Sequence, residues 1–246
     1  MLKAGAARVV ITPPVGVELS GYAFGPSVGV LEDLEAEALV LETREETAVL
    51  ITADLIGFSA ELSGNVRRAV QERVGIPADR VLLAGSHTHS GPATVNLRHW
   101  GAPDECYLRI LERQLAGLAA MASRNLNQAS LRVGLGHADC ITENRRVPNG
   151  PIDPAVPVLR FDDTMAQPVA ILYNYPCHPV TLHSYENLLS PDYVGYARQV
   201  IQSVLGSQVT VAFTLGAAGD INPRGYVARR TIPARARQLG TILGSE

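Results

Sequence analysis

Four short runs in which nearly every residue is apolar limit the fold of this chain more than any other feature. They are "TAVLITAD" (47–54), "RVLLAGSH" (80–87), "VAILYNYPCH" (169–178) and "VTVAFTLGAAGD" (209–220). A strand with one face in water alternates apolar and polar residues, so a continuous apolar run predicts a strand covered on both faces. The segments between carry apolar residues at every third or fourth position, which predicts helices. These are 60 to 74 (Leu62, Val66, Val70, Val74), 106 to 123 (Leu108, Leu111, Leu115, Leu118, Ala122) and 192 to 205 (Ala197, Val200, Ile201, Val204). Ser190-Pro191 reads as the cap and first residue of the third helix, and a fourth begins near Pro233. "ARVVI", "EALVLE", "LRVGLG" and "VPVLRF" read as further strands in hairpins or at edges. Together these predict an α/β fold, a mixed β-sheet core flanked by helices in a layered architecture. The sequence shows no internal repeat and no low-complexity linker.

Composition narrows the function. At 246 residues and 46% apolar content the chain can bury a sizeable core. Its net charge of −3 gives no basic field to attract nucleic acid. No segment approaches the ~20 apolar residues of a membrane helix, and the N-terminus lacks a signal-peptide core, so a cytoplasmic protein is expected. Cys106, Cys140 and Cys177 show no Cys-x-x-Cys spacing, so any metal falls to His, Asp or Glu.

Asp54, His87, His89, His178 and Asp220 each follow the C-terminal end of one of the four apolar runs. Ligands of α/β sheets bind at that edge, and several metal-capable side chains there predict a metal or acid/base site. Prolines on both sides of Cys177-His178 fix the backbone, which suits a ligand; His183 reads as a surface or second-layer residue. "LGAAGDINPRG" lacks the spacing of a phosphate loop and instead aims Asp220 and Asn222 at the site. "ENRRVPNG" puts Arg145 and Arg146 in a loop, where one of the two is available to stabilise a developing oxyanion.

Taken together, "ITPPVGVELSGYA", "TADLIG", "GSHTHSGP", "NRR", "NYPCHPVTL", "SPDYVGYAR" and "GAAGDINP" resemble the neutral/alkaline non-lysosomal ceramidase family, in the family's order and over about residues 8 to 240. The resemblance implies a zinc-activated water attacking the amide carbonyl of an N-acyl sphingoid base. It implies His87 and His178 as zinc ligands, His89 as a polarising or proton-handling group, and Arg145 facing the substrate carbonyl. Where the family has serine in a Gly-Asp-x-Ser-Pro turn this chain has Asn222, which favours a smaller N-acyl compound over ceramide. The family's other two zinc ligands, a glutamate and a tyrosine, lie C-terminal to anything in this sequence. Asp54, Asp220 or a second subunit is therefore expected to complete the metal site, and a homo-oligomer to cover the surface that a missing region would bare.

The leading expectation is thus a zinc-dependent hydrolase of a linear amide, built on a single catalytic domain spanning 1–246, with a small-molecule or lipid N-acyl partner. One alternative is a non-catalytic ceramidase-like scaffold that has lost its C-terminal ligands; another is a cysteine hydrolase using Cys177.

Overall fold

Strand pairing follows the apolar pattern of the sequence. The computed structural model describes residues 1–21, 25–182, 187–226 and 233–246, so His183 lies outside the described residues. In chain order the elements are β1 (Lys3–Val10), β2 (Gly29–Val30), β3 (Glu35–Glu42), β4 (Thr47–Ala53), α1 (Ala60–Val74), β5 (Val81–Gly85), α2 (Glu105–Arg124), β6 (Asn127–Gln128) and β7 (Ser130–His137). There follow β8 (Thr142–Asn144), β9 (Ala155–Asp162), β10 (Pro168–Tyr175), β11 (Leu188–Leu189), α3 (Tyr193–Leu205), β12 (Thr210–Leu215), β13 (Ile221–Pro223) and α4 (Pro233–Ser245).

One sheet has the order β5-β4-β3-β1-β6 and the other β12-β10-β9-β7. In each, two antiparallel pairings lead to a parallel pair at one edge: β4 with β5, joined through α1, and β10 with β12, joined through α3. The halves therefore repeat one topology, strand-strand-strand-helix-strand-helix, that no sequence period announces.

The sheets stack, and the helices cover their outer faces, giving four layers. Ala36, Ala38 and Val40 on one face of β3 pack with Leu62, Val66 and Val70 of α1 and Leu111, Leu115 and Leu118 of α2. Leu39, on the opposite face, meets Phe161 and Ala170 of the second sheet together with Ala4 and Ala6. Tyr173, Val211 and Phe213 turn outward to Tyr193, Val194 and Ala197 of α3 and to Leu239 and Leu243 of α4. Alternate residues thus bury on opposite sides, as a strand's period of two requires. The mixed, layered α/β architecture is as the sequence predicts.

Two local expectations change. The third helix is capped by Asp192, whose carboxylate accepts from Tyr193 N at 2.6 Å, and not by Ser190. Its buried face is Tyr193, Val194, Ala197 and Arg198, while Val204 is 77% exposed. Of the apolar stripe Ala197, Val200, Ile201 and Val204, Ala197 is in the core and Ile201 packs against it, while Val200, Ile201 and Val204 also wall an open apolar groove.

Candidate metal centre and active site

The parallel edge strands β5 and β12 and their neighbour β10 release the chain at their C-terminal ends into loops that converge. His87 and His89 leave β5, His178 leaves β10, and the Gly216–Asp220 turn leaves β12. The imidazole centroids of His87 and His178 lie 5.0 Å apart, those of His87 and His89 4.9 Å, and those of His89 and His178 5.6 Å. One ring nitrogen from each of the three lies within 4.8 Å of the others.

Two of the three rings are oriented by main-chain carbonyls. His87 Nδ1 lies 2.8 Å from Ile56 O, and His178 Nδ1 lies 2.6 Å from Ala218 O. A carbonyl only accepts, so each Nδ1 carries the proton and each Nε2 presents a lone pair. That is how metal-binding histidines are held, with the second nitrogen donating to an acceptor behind the ring. Burial, opposed by the bond to Ala218 O and aided by the nearby Arg145 charge, pushes the His178 pKa down, which favours the neutral imidazole that metal binding requires. His87 takes a left-handed φ of 68°, a strained conformation for a residue with a Cβ and one that clusters at functional sites.

The loops lock one another. His89 N donates to Pro179 O at 3.3 Å, Ser190 N to Ser90 O at 2.9 Å, and Thr88 Oγ1 to Ser190 O at 2.8 Å. The buried Asp192, also at positive φ, accepts from the Thr181 hydroxyl and from Leu182 N at 2.9 Å. Gly21 passes so close that a Cβ there would sit 2.5 Å from His89 Nδ1. The Trp100 ring lies 6.5 Å from that of His89.

Arg145 Nε and Nη2 both donate to Gly219 O, at 3.0 and 2.5 Å, and its main-chain N donates to Asp220 O at 2.7 Å. This holds the guanidinium beside the loop that orients His178. Asn222, in the two-stranded β8–β13 ribbon, follows Ile221, whose carbonyl accepts from His178 N at 3.1 Å. Asn222 is 7% exposed, and its Oδ1 is buried without a hydrogen-bond partner among the described residues.

The aspartates do not join the histidines. The sequence suggests Asp54 as a metal ligand, but both its oxygens take Arg198 Nη2, at 3.1 and 3.0 Å, and Oδ2 also accepts from Glu35 N at 3.0 Å. It belongs to a buried charge cluster with Glu37, outside the metal-capable group. Asp220 is exposed and accepts from Asn144 Nδ2 at 2.9 Å, bracing the 144–150 loop instead of facing the histidines. Cys177 is buried, and burial pushes its thiol pKa well up, the reverse of an activated nucleophile.

A family model described as neutral/alkaline non-lysosomal ceramidase, N-terminal, matches residues 3–230. The chain belongs to that family. Among curated proteins it resembles the neutral ceramidase of Pseudomonas aeruginosa, 26% identical over 164 residues, covering 59% of this chain and 24% of that protein. The crystal structure of that organism's neutral ceramidase superposes on 99% of this chain and 44% of its own, with a TM-score of 0.88 at 22% identity. A ceramidase complexed with C2 gives the same TM-score and identity over 99% and 43%. The chain thus spans less than half the length of these relatives. The ceramidase fold is shared, and the site residues rest on this chain's own geometry. Gly21, Trp100 and the carbonyls of Ile56 and Ala218 do not stand out in the sequence. Main-chain carbonyls carry no sequence signal, and Gly21 is marked only by its place in "ELSGYA".

Proposed function

We propose that this chain is the catalytic part of a zinc-dependent hydrolase that cleaves the amide bond of an N-acyl compound. The observation that carries the reading is the trio of imidazoles with one ring nitrogen of each within 4.8 Å of the others, two of the rings held by carbonyls at Nδ1. That donor set suits zinc, whose bonds to imidazole are about 2.0 to 2.1 Å. His87 and His178 would hold the ion, and a zinc ion bound there supplies a water of lowered pKa and a Lewis acid for the carbonyl.

The chain's own groups divide the remaining work. His89, beside both ligand rings, accepts a proton as the tetrahedral state forms and returns it to the departing amine. Arg145 keeps Nη1 available once Nε and Nη2 are committed to Gly219 O, and its charge offsets that on the carbonyl oxygen. Asn222 Oδ1 accepts the substrate amide N–H, a donor matched to an acceptor that is otherwise unpaired.

Metal-stripped protein, assayed on short N-acyl amides before and after zinc is returned, tests the proposal. Hydrolysis that disappears on stripping and returns with zinc supports it. Zinc uptake without hydrolysis of any amide would favour the non-catalytic scaffold, and hydrolysis indifferent to chelation would rule out the metal.

A further inference from the structure

One cavity among the described residues is lined mainly by polar and charged groups. It has a volume of about 490 Å³ and opens on the 142–152 segment, lined by Thr142, Asn144, Asn149 and three guanidinium-bearing residues, Arg145, Arg146 and Arg224. Glu143 is the one carboxylate in the lining, so the cavity carries two positive charges in excess. The arginines are not spent on carboxylates. Arg145 donates to Gly219 O; Arg224 Nε and Nη2 donate to the main-chain oxygens of Thr142 and Asp139, at 3.3 and 3.0 Å. The Arg146 guanidinium has no hydrogen bond or ion pair among the described residues, although its main-chain N is fixed by Asn144 Oδ1 at 2.9 Å. Asp220, a carboxylate just outside the lining, is taken by Asn144 Nδ2.

Arg145 links this cavity to the loop that holds His178, since it lines the cavity and donates to Gly219 O, next to the Ala218 carbonyl that meets His178 Nδ1. Among the described residues, an open apolar groove lies elsewhere, against Val156, Val158, Val200, Val204 and Leu243 on the outer face of the second sheet. A lipid amide calls for an apolar channel beside the reacting bond, whereas guanidinium groups freed from carboxylates fit planar oxyanions.

We propose that the Arg145–Arg146–Arg224 cavity is a substrate subsite for an oxyanion, so that the amide cleaved is one whose substrate carries a carboxylate or a phosphate group. The subsite deepens the amide-hydrolase reading and rests on it, but its binding function is testable alone.

Zinc-loaded protein is assayed on two short amides that differ only in a carboxylate, N-butyrylglycine and N-butyrylethylamine, with O-phosphorylated N-butyrylethanolamine as the phosphate arm. We expect kcat/KM for at least one anionic amide to exceed that for the neutral one at least tenfold, and Arg146→Glu to collapse that ratio mainly through KM. Equal kcat/KM for all three, or a ratio unmoved by Arg146→Glu, would overturn the subsite. If no amide is cleaved, the hydrolase reading fails, and calorimetric titration with N-butyrylglycine and with inorganic phosphate decides the subsite separately. Binding by the wild type that weakens at least tenfold in Arg146→Glu and at high salt supports it; no binding of either anion, or equal binding by the variant, refutes it. Among the described residues Arg146 makes no side-chain bond, so the variant is expected to fold normally, which circular dichroism checks.

Discussion

At the scale of single residues, His89 separates the roles within the trio. It is about as close to His87 and His178 as they are to each other, but carries the proton-handling part in the proposed chemistry. His89→Ala should lower kcat by about 10²- to 10⁴-fold, the usual range for loss of a general acid–base, while zinc content holds. An equal loss of zinc would make it a third ligand. Gly21 gives a second test. Its φ is 105°, and a methyl group added there would lie 2.5 Å from His89 Nδ1, so alanine must strain the backbone and move the ring. Gly21→Ala should cost about 1–3 kcal/mol in urea unfolding and lower kcat; wild-type turnover would mean the His89 position is immaterial. His87, His89 and His178 were legible in sequence because they end apolar strands. Asp54 meets the same criterion but its carboxylate is paired with a cation, and strand-end position gives the edge of the sheet without showing such a partner. That cation, Arg198, lies 144 positions away in sequence.

At the scale of elements, α3 is tied to the first sheet by that arginine. Arg198 Nε reaches Glu37 Oε1 at 2.9 Å and Nη2 reaches Asp54, with Glu35 at 3.6 Å from Nη1. The cluster leaves no local signal in the sequence, because Arg198 and Asp54 are 144 positions apart. Removing the cation leaves buried carboxylates uncompensated, so Arg198→Ala should destabilise by about 3–5 kcal/mol. Three carboxylates around one buried guanidinium also hold a proton. Burial, reinforced by Asp54 and Glu35 and opposed by Arg198 and the Thr52 hydroxyl, pushes the Glu37 pKa from 4.5 up to about 8. The native state therefore binds a proton that the unfolded chain releases above its own pKa. This contribution to stability is fully present below pH 4.5, declines as pH rises, and is gone above about pH 8. Glu37→Gln should flatten that part of the profile measured by urea unfolding from about pH 5 to 9; an unchanged slope would show that Glu37 is ionised throughout.

At the scale of the whole molecule, two halves of one topology stack their sheets and place their parallel edges together, and the histidines come from both halves. That duplication escaped sequence reading because the halves share strand order and not residues. The layers were legible because a strand buried on both faces and a helix buried on one leave different periods. The same stacking leaves β7 at an open edge, with Val133 75% and Leu135 74% exposed. An apolar edge strand invites pairing with another copy, so the chain should self-associate in light scattering at micromolar concentration, and Val133→Lys with Leu135→Lys should restore the monomer. A wild type that stays monomeric would show the edge to be inert.

The central claim is that the histidines from the two halves form one metal centre, and equilibrium dialysis against zinc with elemental analysis tests it most directly. The wild type should take up zinc at one site, and His87→Ala and His178→Ala should each abolish that uptake while retaining the wild-type circular dichroism spectrum. Zinc bound equally well by both variants, or by none of the three proteins, would contradict the account.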